Sequence, residues 1–325
     1  MSVAYDLKEH IVDPAASIVH FWAGAVRSFC DVAGANPFNL PIVRDFYRAS
    51  AAACEVAGRL TAQYPRPEWM LEPISYRGET VAIQPTTVEG TSRHNAFINV
   101  THFEREGVDN KAEVPNDPVV LVFAPMSGHY ATLLRQTAKD LLASGYNTFI
   151  TEHEDASRVP LQAGDFGFED CVEFYIDAIR AVKAKTGRDV HVMAVCQPGP
   201  ALAAALAVME KNGDPATPRS ATFMGSPIDT RQDKNAVTEF ADTHEMSWFD
   251  RHAIHTVPFT REGSGRKVYS GVQQLFSFMM MKLNDHITSH RDLFFDLIKG
   301  DDGAAYKQKA FYNEFLAVCD LPGKF

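Results

Sequence analysis

The clearest structural signal in the chain is the stretch Val192-Met-Ala-Val-Cys196-Gln-Pro-Gly-Pro-Ala-Leu-Ala-Ala-Ala205. An apolar run typical of a buried strand passes, within two or three residues, into a run of small residues typical of a helix. This order indicates a nucleophile elbow, a tight turn that holds one side chain at the end of a strand. Residues two before and two after that side chain must be small, and here they are Ala194 and Pro198.

Cys196 occupies the nucleophile position of this predicted elbow. A thiol at a helix N-terminus faces the positive end of the helix dipole, so we expect its pKa to be lowered and the thiolate to be favoured. The alternative is a packing role, because cysteine is among the residue types that are most often buried. The position between strand and helix favours the catalytic interpretation.

The elbow lies within an alternation of strands and helices, which is typical of a parallel, doubly wound sheet. The predicted strands are Val119–Phe123, Asn147–Thr151, Asp189–Val195 and Ser220–Met224, and the predicted helices are Thr132–Leu142, Glu169–Lys185 and Pro200–Lys211. The sequence therefore predicts an α/β fold with helices on both faces of a mostly parallel sheet.

Three segments are predicted: a helical N-terminal segment (1–75), an α/β core (76–228) and a helical cap without a clear buried strand (229–325). Apolar residues at helical spacing predict a helix over Ile42–Tyr64. Two strand-like runs, 79–84 and 96–103, flank the turn-rich segment 89–95 and predict a hairpin.

A second candidate element, Phe123-Ala-Pro-Met-Ser-Gly-His-Tyr130, follows the first buried strand. In a fold with a nucleophile elbow, the oxyanion hole takes one N–H from the residue after the nucleophile and one from this loop. We expect Gln197 to supply the first, and Met126 or Ser127 the second. Gly128 allows a close backbone approach. His129 is a candidate base, although its place early in the chain favours a structural role.

Composition excludes several functions. The 325 residues include 31 Lys+Arg and 41 Asp+Glu, a net charge of −10, which argues against a nucleic-acid partner. The sequence has no apolar run long enough for a transmembrane segment and no secretory signal, and its five widely spaced cysteines predict neither a disulfide framework nor a zinc site. A reducing, cytoplasmic location fits this pattern.

The sequence contains no cofactor motif. His286 and His290 have the spacing of metal ligands on one helix face, but they lack a third ligand and are a weak candidate for a metal site.

At these residues the chain resembles the intracellular poly(3-hydroxybutyrate) depolymerases, which are α/β-hydrolases with a cysteine nucleophile. The resemblance is carried by residues 119–129 with 131–135, Ala194-Val-Cys-Gln-Pro198, Met224–Arg231, Arg266–Tyr269 and Phe311–Phe315 with Asp320-Leu321. The Cys-Gln-Pro elbow is the most specific of these, because most α/β-hydrolases have serine at the nucleophile position. The pair Glu152-His153 departs from the family pattern.

The resemblance implies that Cys196 attacks an ester of a storage polyester and that water releases the acyl group, without a metal or organic cofactor. Gly128, His129 and Trp248 are candidate residues of the substrate pocket. The family order places the catalytic acid and histidine after the cap, so we expect both beyond Phe325 and expect the chain to be truncated at its C-terminus.

The implied partner is the polymer on a storage granule, contacted through the N-terminal helices and the aromatic residues of the cap: Trp248, 276–281 and Phe294-Phe295. A homo-oligomer is left open. Two alternative functions are a carboxylesterase or thioesterase of the same fold, and a granule-associated protein without catalytic activity.

Overall fold

The structure is a computed structural model that describes residues 13–36, 40–62, 64–90, 96–108, 117–232, 234, 236–281 and 283–325. The chain divides into two compact units. One contains the N-terminal stretch up to Pro67 together with Leu275–Ala317, and the other contains Glu68–Gln274 together with Val318–Phe325. The C-terminal third of the chain therefore contributes to both units, whereas the sequence pattern sets residues 229–325 apart as one segment.

A six-stranded sheet forms the centre of the larger unit, with the strands in the order 83–87, 98–105, 147–153, 119–123, 190–195 and 220–224. The strands are β1 (Ile74–Tyr76), β2 (Glu79–Val81), β3 (Ile83–Thr87), β4 (Ile98–Arg105), β5 (Val119–Phe123), β6 (Asn147–His153), β7 (Val190–Val195) and β8 (Ser220–Met224), of which β1 and β2 pair separately. Strands β6, β5, β7 and β8 are parallel, as the alternation of strands and helices predicted. Every residue of β5 and β6 is buried, which explains their lack of polar–apolar alternation, whereas every residue of the edge strand β8 is exposed.

The predicted hairpin is confirmed: β3 and β4 pair antiparallel, with Ile83 opposite Arg105 and Thr87 opposite Thr101. Part of the turn predicted between them, residues 91–95, lies outside the described residues. Strand β4 also pairs antiparallel with β6, so the hairpin extends the parallel part of the sheet.

Helices α3 (Arg135–Ala143), α4 (Phe168–Thr186) and α5 (Gly199–Lys211) connect the parallel strands. The N–H of Gly167 donates to Asp170 at 2.9 Å and caps the start of α4, and Gly187 ends this helix with a φ of +66°. The buried residues of α5 are small or apolar, and they join the same core as β5 and β7.

The segment after Pro227, in which the sequence shows no clear buried strand, contains three short strands. Helices α6 (Ala236–Asp242) and α7 (Met246–His252) are followed by strands β9 (Ile254–Thr256), β10 (Lys267–Tyr269) and β11 (Leu321–Pro322), which form a three-stranded sheet in the order β11-β10-β9. Val268, in the central strand, is fully buried. Strands of two or three residues are too short to show a period in the sequence.

Helical segments make up the smaller unit. They are α1 (Asp13–Gly34), α2 (Pro41–Thr61), the C-terminal part of α8 (Gly271–Met281), α9 (Leu283–Lys299) and α10 (Asp302–Phe315). Helix α2 packs along α1 and also against α9. Pro41 begins α2, where its missing N–H is not needed. Within the described ranges, no helix combines the length and the apolar character that crossing a bilayer requires.

Candidate active site

Cys196 lies at the sharp turn between β7 and α5. Its φ is +67°, and Arg77 is the only other described residue besides glycines with a positive φ. The Cys196 N–H donates to the carbonyl of Met224 at 2.9 Å, and its own carbonyl accepts from the N–H of Gly199 at 3.2 Å. A side-chain-bearing residue in the left-handed region is strained, and such strain is concentrated at functional sites. The strand–turn–helix geometry predicted from the sequence is therefore present.

Crowding around the elbow explains why small residues surround it. Ala194 is fully buried. Gly199 faces Ser226, and a Cβ added at Gly199 would stand 2.3 Å from the Cβ of Ser226. Pro198 precedes the first helical residue with a φ of −60°, and its carbonyl accepts from the N–H of Leu202 at 2.9 Å. The tightest contact is therefore at Gly199, one residue later than the position that the sequence pattern indicates.

The ionisation of Cys196 differs from the expectation. Burial raises the pKa of the half-buried thiol, and the hydrogen bond from the backbone N–H of Gln197 offsets part of that rise. The prediction of a lowered pKa is wrong, because it considers the helix N-terminus and leaves out the loss of solvent around the sulfur. In this state the thiol keeps its proton at neutral pH, so nucleophilic attack requires a base.

The loop after β5 leaves the sheet beside the elbow. Strands β5 and β7 are parallel neighbours, with Phe123 paired to Ala194, so both chains leave the sheet at the same edge. The N–H of Ala124 donates to the side-chain oxygen of Thr151 at 3.0 Å and fixes the start of the loop. Met126 and Ser127, two and three residues after Ala124, are buried. The predicted oxyanion-hole segments therefore begin at adjacent strand ends.

Gly128 is held in place by a distant part of the chain. Its φ is +74°, and its carbonyl accepts from the N–H of Cys319 at 2.7 Å. A Cβ at Gly128 would lie 2.9 Å from the Cβ of Gln274 and 3.0 Å from the Cα of Gly271. The buried carboxylate of Asp320 accepts from the N–H of Gly271 at 2.8 Å. Sequence reasoning missed this contact set, since nothing in the local pattern shows that residues 271 and 318–320 meet the loop.

His129 is buried next to Ser127, and its Nδ1 is hydrogen-bonded to the Ser127 hydroxyl at 3.0 Å. The backbone of His129 also pairs with Val318 in an isolated antiparallel bridge. These contacts fix the loop at both its side chains and its backbone. A role for His129 as the base stays a prediction.

Trp248 belongs to an aromatic cluster on and beside α7. Its ring stacks on His252, with ring centroids 4.3 Å apart, and meets Phe240 edge-on at 5.3 Å. The proposed pocket role of Trp248 is not tested by these contacts.

His286 and His290 have protein partners of their own. The Nδ1 of His286 is 3.0 Å from the hydroxyl of Tyr312, and the Nδ1 of His290 donates to the carbonyl of His286 at 2.9 Å. In the part of the chain that the structure describes, no group of three or more His, Cys, Asp or Glu side chains could hold a metal ion.

Comparison with known proteins gives one family match. Residues 225–325 match the family model described as PHB de-polymerase C-terminus. No curated protein sequence matches the chain.

Solved structures match the chain at low sequence identity. An α/β hydrolase enzyme from a Medee basin deep-sea metagenome library shares 16% identity over 44% of this chain and 56% of its own, with a TM-score of 0.30. The 2-hydroxy-6-oxo-6-phenylhexa-2,4-dienoate hydrolase of Rhodococcus sp. strain RHA1 shares 11% identity over 72% of each chain, with a TM-score of 0.33. The chain thus spans little more than half the length of the metagenome enzyme.

The mostly parallel sheet, its flanking helices and the elbow after β7 define the class as an α/β-hydrolase. Within this chain, the segment 225–325 is similar to the C-terminus of PHB de-polymerases. The fold that the sequence resemblance implied is confirmed, and the family resemblance is supported over residues 225–325.

Proposed function

We propose that this hydrolase cleaves the ester bonds of a poly(3-hydroxybutyrate)-type polyester and that Cys196 is its nucleophile. The observation that carries the proposal is the left-handed backbone of Cys196 at the junction of β7 and α5. A polyester substrate is supported by the family match over residues 225–325.

In the proposed reaction, a base removes the thiol proton and the Cys196 sulfur attacks the ester carbonyl. The C–O bond of the ester breaks, the leaving alkoxide takes a proton, and a thioester joins the acyl group to Cys196. Water then attacks the thioester, releasing the carboxylic acid and returning the proton to sulfur. The raised pKa of the thiol makes the base indispensable in the first step.

Two backbone N–H groups are proposed to stabilise the oxyanion. One is that of Gln197, which in this structure is hydrogen-bonded to the Cys196 sulfur. The other comes from Met126 or Ser127, on the loop that leaves β5 beside the elbow. Donors held in place before the reaction stabilise the developing charge without reorganisation.

We also propose that the apolar surface of α1 contacts the polymer. Its side chains Phe21, Trp22 and Phe29 are 68%, 62% and 64% exposed. Exposed apolar area on this scale marks a binding surface, and a polyester surface carries no charge that would oppose it. Replacing both Phe21 and Trp22 by Ser is expected to reduce co-sedimentation with polymer granules, whereas Phe259→Ser, at an 84% exposed site in the other unit, should not.

The catalytic proposal is tested by measuring 3-hydroxybutyrate release from amorphous polymer and from soluble oligomers. Cys196→Ala should abolish release, and Cys54→Ala, at a second partly buried cysteine, should leave it unchanged. Activity that survives in Cys196→Ala would contradict the proposal. Hydrolysis of short esters or thioesters alone would indicate a carboxylesterase or thioesterase instead.

A further inference from the structure

Two adjacent residues, Cys319 and Asp320, join the loop after β5 to the start of α8. The N–H of Cys319 donates to the carbonyl of Gly128 at 2.7 Å. The carboxylate of Asp320 accepts from the N–H of Gly271, the first residue of α8, at 2.8 Å. The carbonyl of Asp320 also accepts from the N–H of Ala156 at 2.9 Å. The pair is therefore hydrogen-bonded to three separate segments of one compact unit.

The carboxylate of Asp320 supplies an acceptor that α8 lacks. The first N–H groups of an α-helix have no acceptor within the helix, and the N–H of Gly271 is one of these. Asp320 is buried, so water contributes little to stabilising its charge. The hydrogen bond from Gly271 and the positive end of the helix dipole stabilise the charge instead. The carboxylate therefore fixes the start of α8 relative to residues 318–320.

The start of α8 packs directly against the loop after β5. A Cβ at Gly128 would stand 3.0 Å from both the Cα and the carbonyl oxygen of Gly271. A Cβ at Gly271 would in turn stand 2.6 Å from the carbonyl oxygen of Cys319. Backbone meets backbone at both contacts, so a movement of Gly271 cannot be absorbed by a change of rotamer. A shift of Gly271 is therefore transmitted to the loop.

We infer that Asp320 is a positioning residue for the proposed oxyanion hole. It acts through Gly271 on Gly128, which directly follows Met126 and Ser127, the candidates for the second oxyanion donor. This role rests on the proposed function, because that function assigns the oxyanion hole to this loop. A donor stabilises the oxyanion when it is held at hydrogen-bond distance before the reaction. Displacement of the loop therefore lowers kcat more than it changes KM.

The test compares three variants with the unmodified full chain. Asp320→Leu keeps the approximate shape of the side chain and removes the acceptor, whereas Asp320→Asn keeps an acceptor oxygen and removes the charge. Asp214→Leu is the matched control. The Asp214 carboxylate also accepts from a backbone N–H, that of Ala216 at 2.8 Å, and from Arg180 on α4, so its partners lie outside the loop.

Three measurements separate positioning from a general loss of stability. Hydrogen–deuterium exchange with mass spectrometry follows residues 124–130. Asp320→Leu should speed exchange there by about tenfold, the effect of losing one charge-assisted hydrogen bond. Asp320→Asn should have a smaller effect and Asp214→Leu none. In ester cleavage, Asp320→Leu should lower kcat by about tenfold or more at unchanged KM. Alkylation of Cys196 by iodoacetamide passes through no oxyanion, so its rate should not change.

Unchanged exchange over residues 124–130 in Asp320→Leu would overturn the inference, as would an unchanged kcat or equal effects of Asp320→Leu and Asp214→Leu on kcat. Asp320→Ser withdraws the acceptor with a smaller, polar side chain, and it gives the same exchange measurement if Asp320→Leu fails to fold. The exchange measurement does not require ester cleavage, so it tests the inference separately from the proposed function. Cleavage that survives in Cys196→Ala would refute only the proposed function. Unchanged loop exchange in Asp320→Leu, in a chain that cleaves esters through Cys196, would refute only this inference.

Discussion

Gly199 lies so close to Ser226 that a Cβ at Gly199 would stand 2.3 Å from the Ser226 Cβ and 2.7 Å from its Oγ. Ser226 follows the edge strand β8, and the carbonyl of Met224, the last residue of that strand, accepts from the N–H of Cys196. The start of the helix that follows Cys196 is therefore packed directly against the segment that follows the neighbouring strand.

Gly199→Ala is expected to destabilise the fold by roughly 1–3 kcal/mol and to lower kcat, because the added methyl displaces the segment after β8 and with it the turn at Cys196. The backbone of Gly199 does not have a positive φ, so alanine brings no strain of its own there. Urea denaturation and ester-hydrolysis rates check both effects. The matched control is the double variant Gly199→Ala/Ser226→Gly, which removes both clashing atoms and should recover most of the loss; no recovery would contradict this explanation.

Gly128→Ala is expected to lower both the melting temperature and kcat. Alanine would be strained at a φ of +74° and would also collide with the backbone of Gly271, whose carbonyl oxygen would lie 3.0 Å from the new Cβ. Gly145→Ala isolates the backbone strain, since Gly145 has a φ of +89° and no atom of the described residues lies within 4 Å of where its Cβ would stand. We expect about 1–2 kcal/mol of destabilisation and unchanged kcat for Gly145→Ala. Equal effects of the two substitutions on kcat would argue against a role of the contact between Gly128 and Gly271 in positioning the loop.

The rate at which iodoacetamide alkylates Cys196 should rise with pH. It should not level off below the pH range in which ordinary thiols lose their protons. Burial raises the pKa of Cys196, so the reactive thiolate is a minor species at neutral pH. Peptide mapping by mass spectrometry follows each cysteine separately, and Cys171, whose pKa is raised to about 12, should remain unreactive throughout. A plateau for Cys196 near pH 7 would show instead that the helix N-terminus dominates, as the sequence pattern alone predicts.

Stability should fall as pH is lowered from about 6.5 toward 4 because of His153. Burial lowers the pKa of His153 from 6.5 to about 4, so in this window the unfolded chain binds a proton that the folded chain does not. This difference in proton binding lowers the free energy of unfolding by roughly 3 kcal/mol between pH 6.5 and pH 4. Urea denaturation of the unmodified chain and of His153→Phe at several pH values isolates the contribution of His153 to the free energy of unfolding. All other titratable side chains are present in both proteins. Parallel stability curves for the two proteins would contradict it.

Much of the α/β core could be predicted from the sequence because its signals are local. The buried strand Val119–Phe123 shows as a continuous apolar run, and the elbow shows as a change from strand to small-residue helix within a few positions. Cys196 could be singled out for the same reason.

Features that depend on distant contacts could not be predicted. The rise in the pKa of Cys196 depends on how completely the folded chain covers the sulfur, which no local pattern encodes. The contact of Gly271 and Cys319 with Gly128 joins residues far apart in the chain. The short strands around Val268 are stabilised by tertiary pairing and show no sequence period. The ion pairs of Glu55 with Arg27 and Lys309 join α2 to α1 and α10.

The most direct test of the central claim is to capture the acyl group on the enzyme. The chain is mixed with a soluble 3-hydroxybutyrate oligomer, quenched in acid within one turnover, digested and analysed by mass spectrometry. We predict one 3-hydroxybutyryl group, in a hydroxylamine-sensitive thioester, on the peptide that contains Cys196, and none in Cys196→Ala. Ester cleavage with no acyl group on Cys196, or with the acyl group on another residue, would contradict the account.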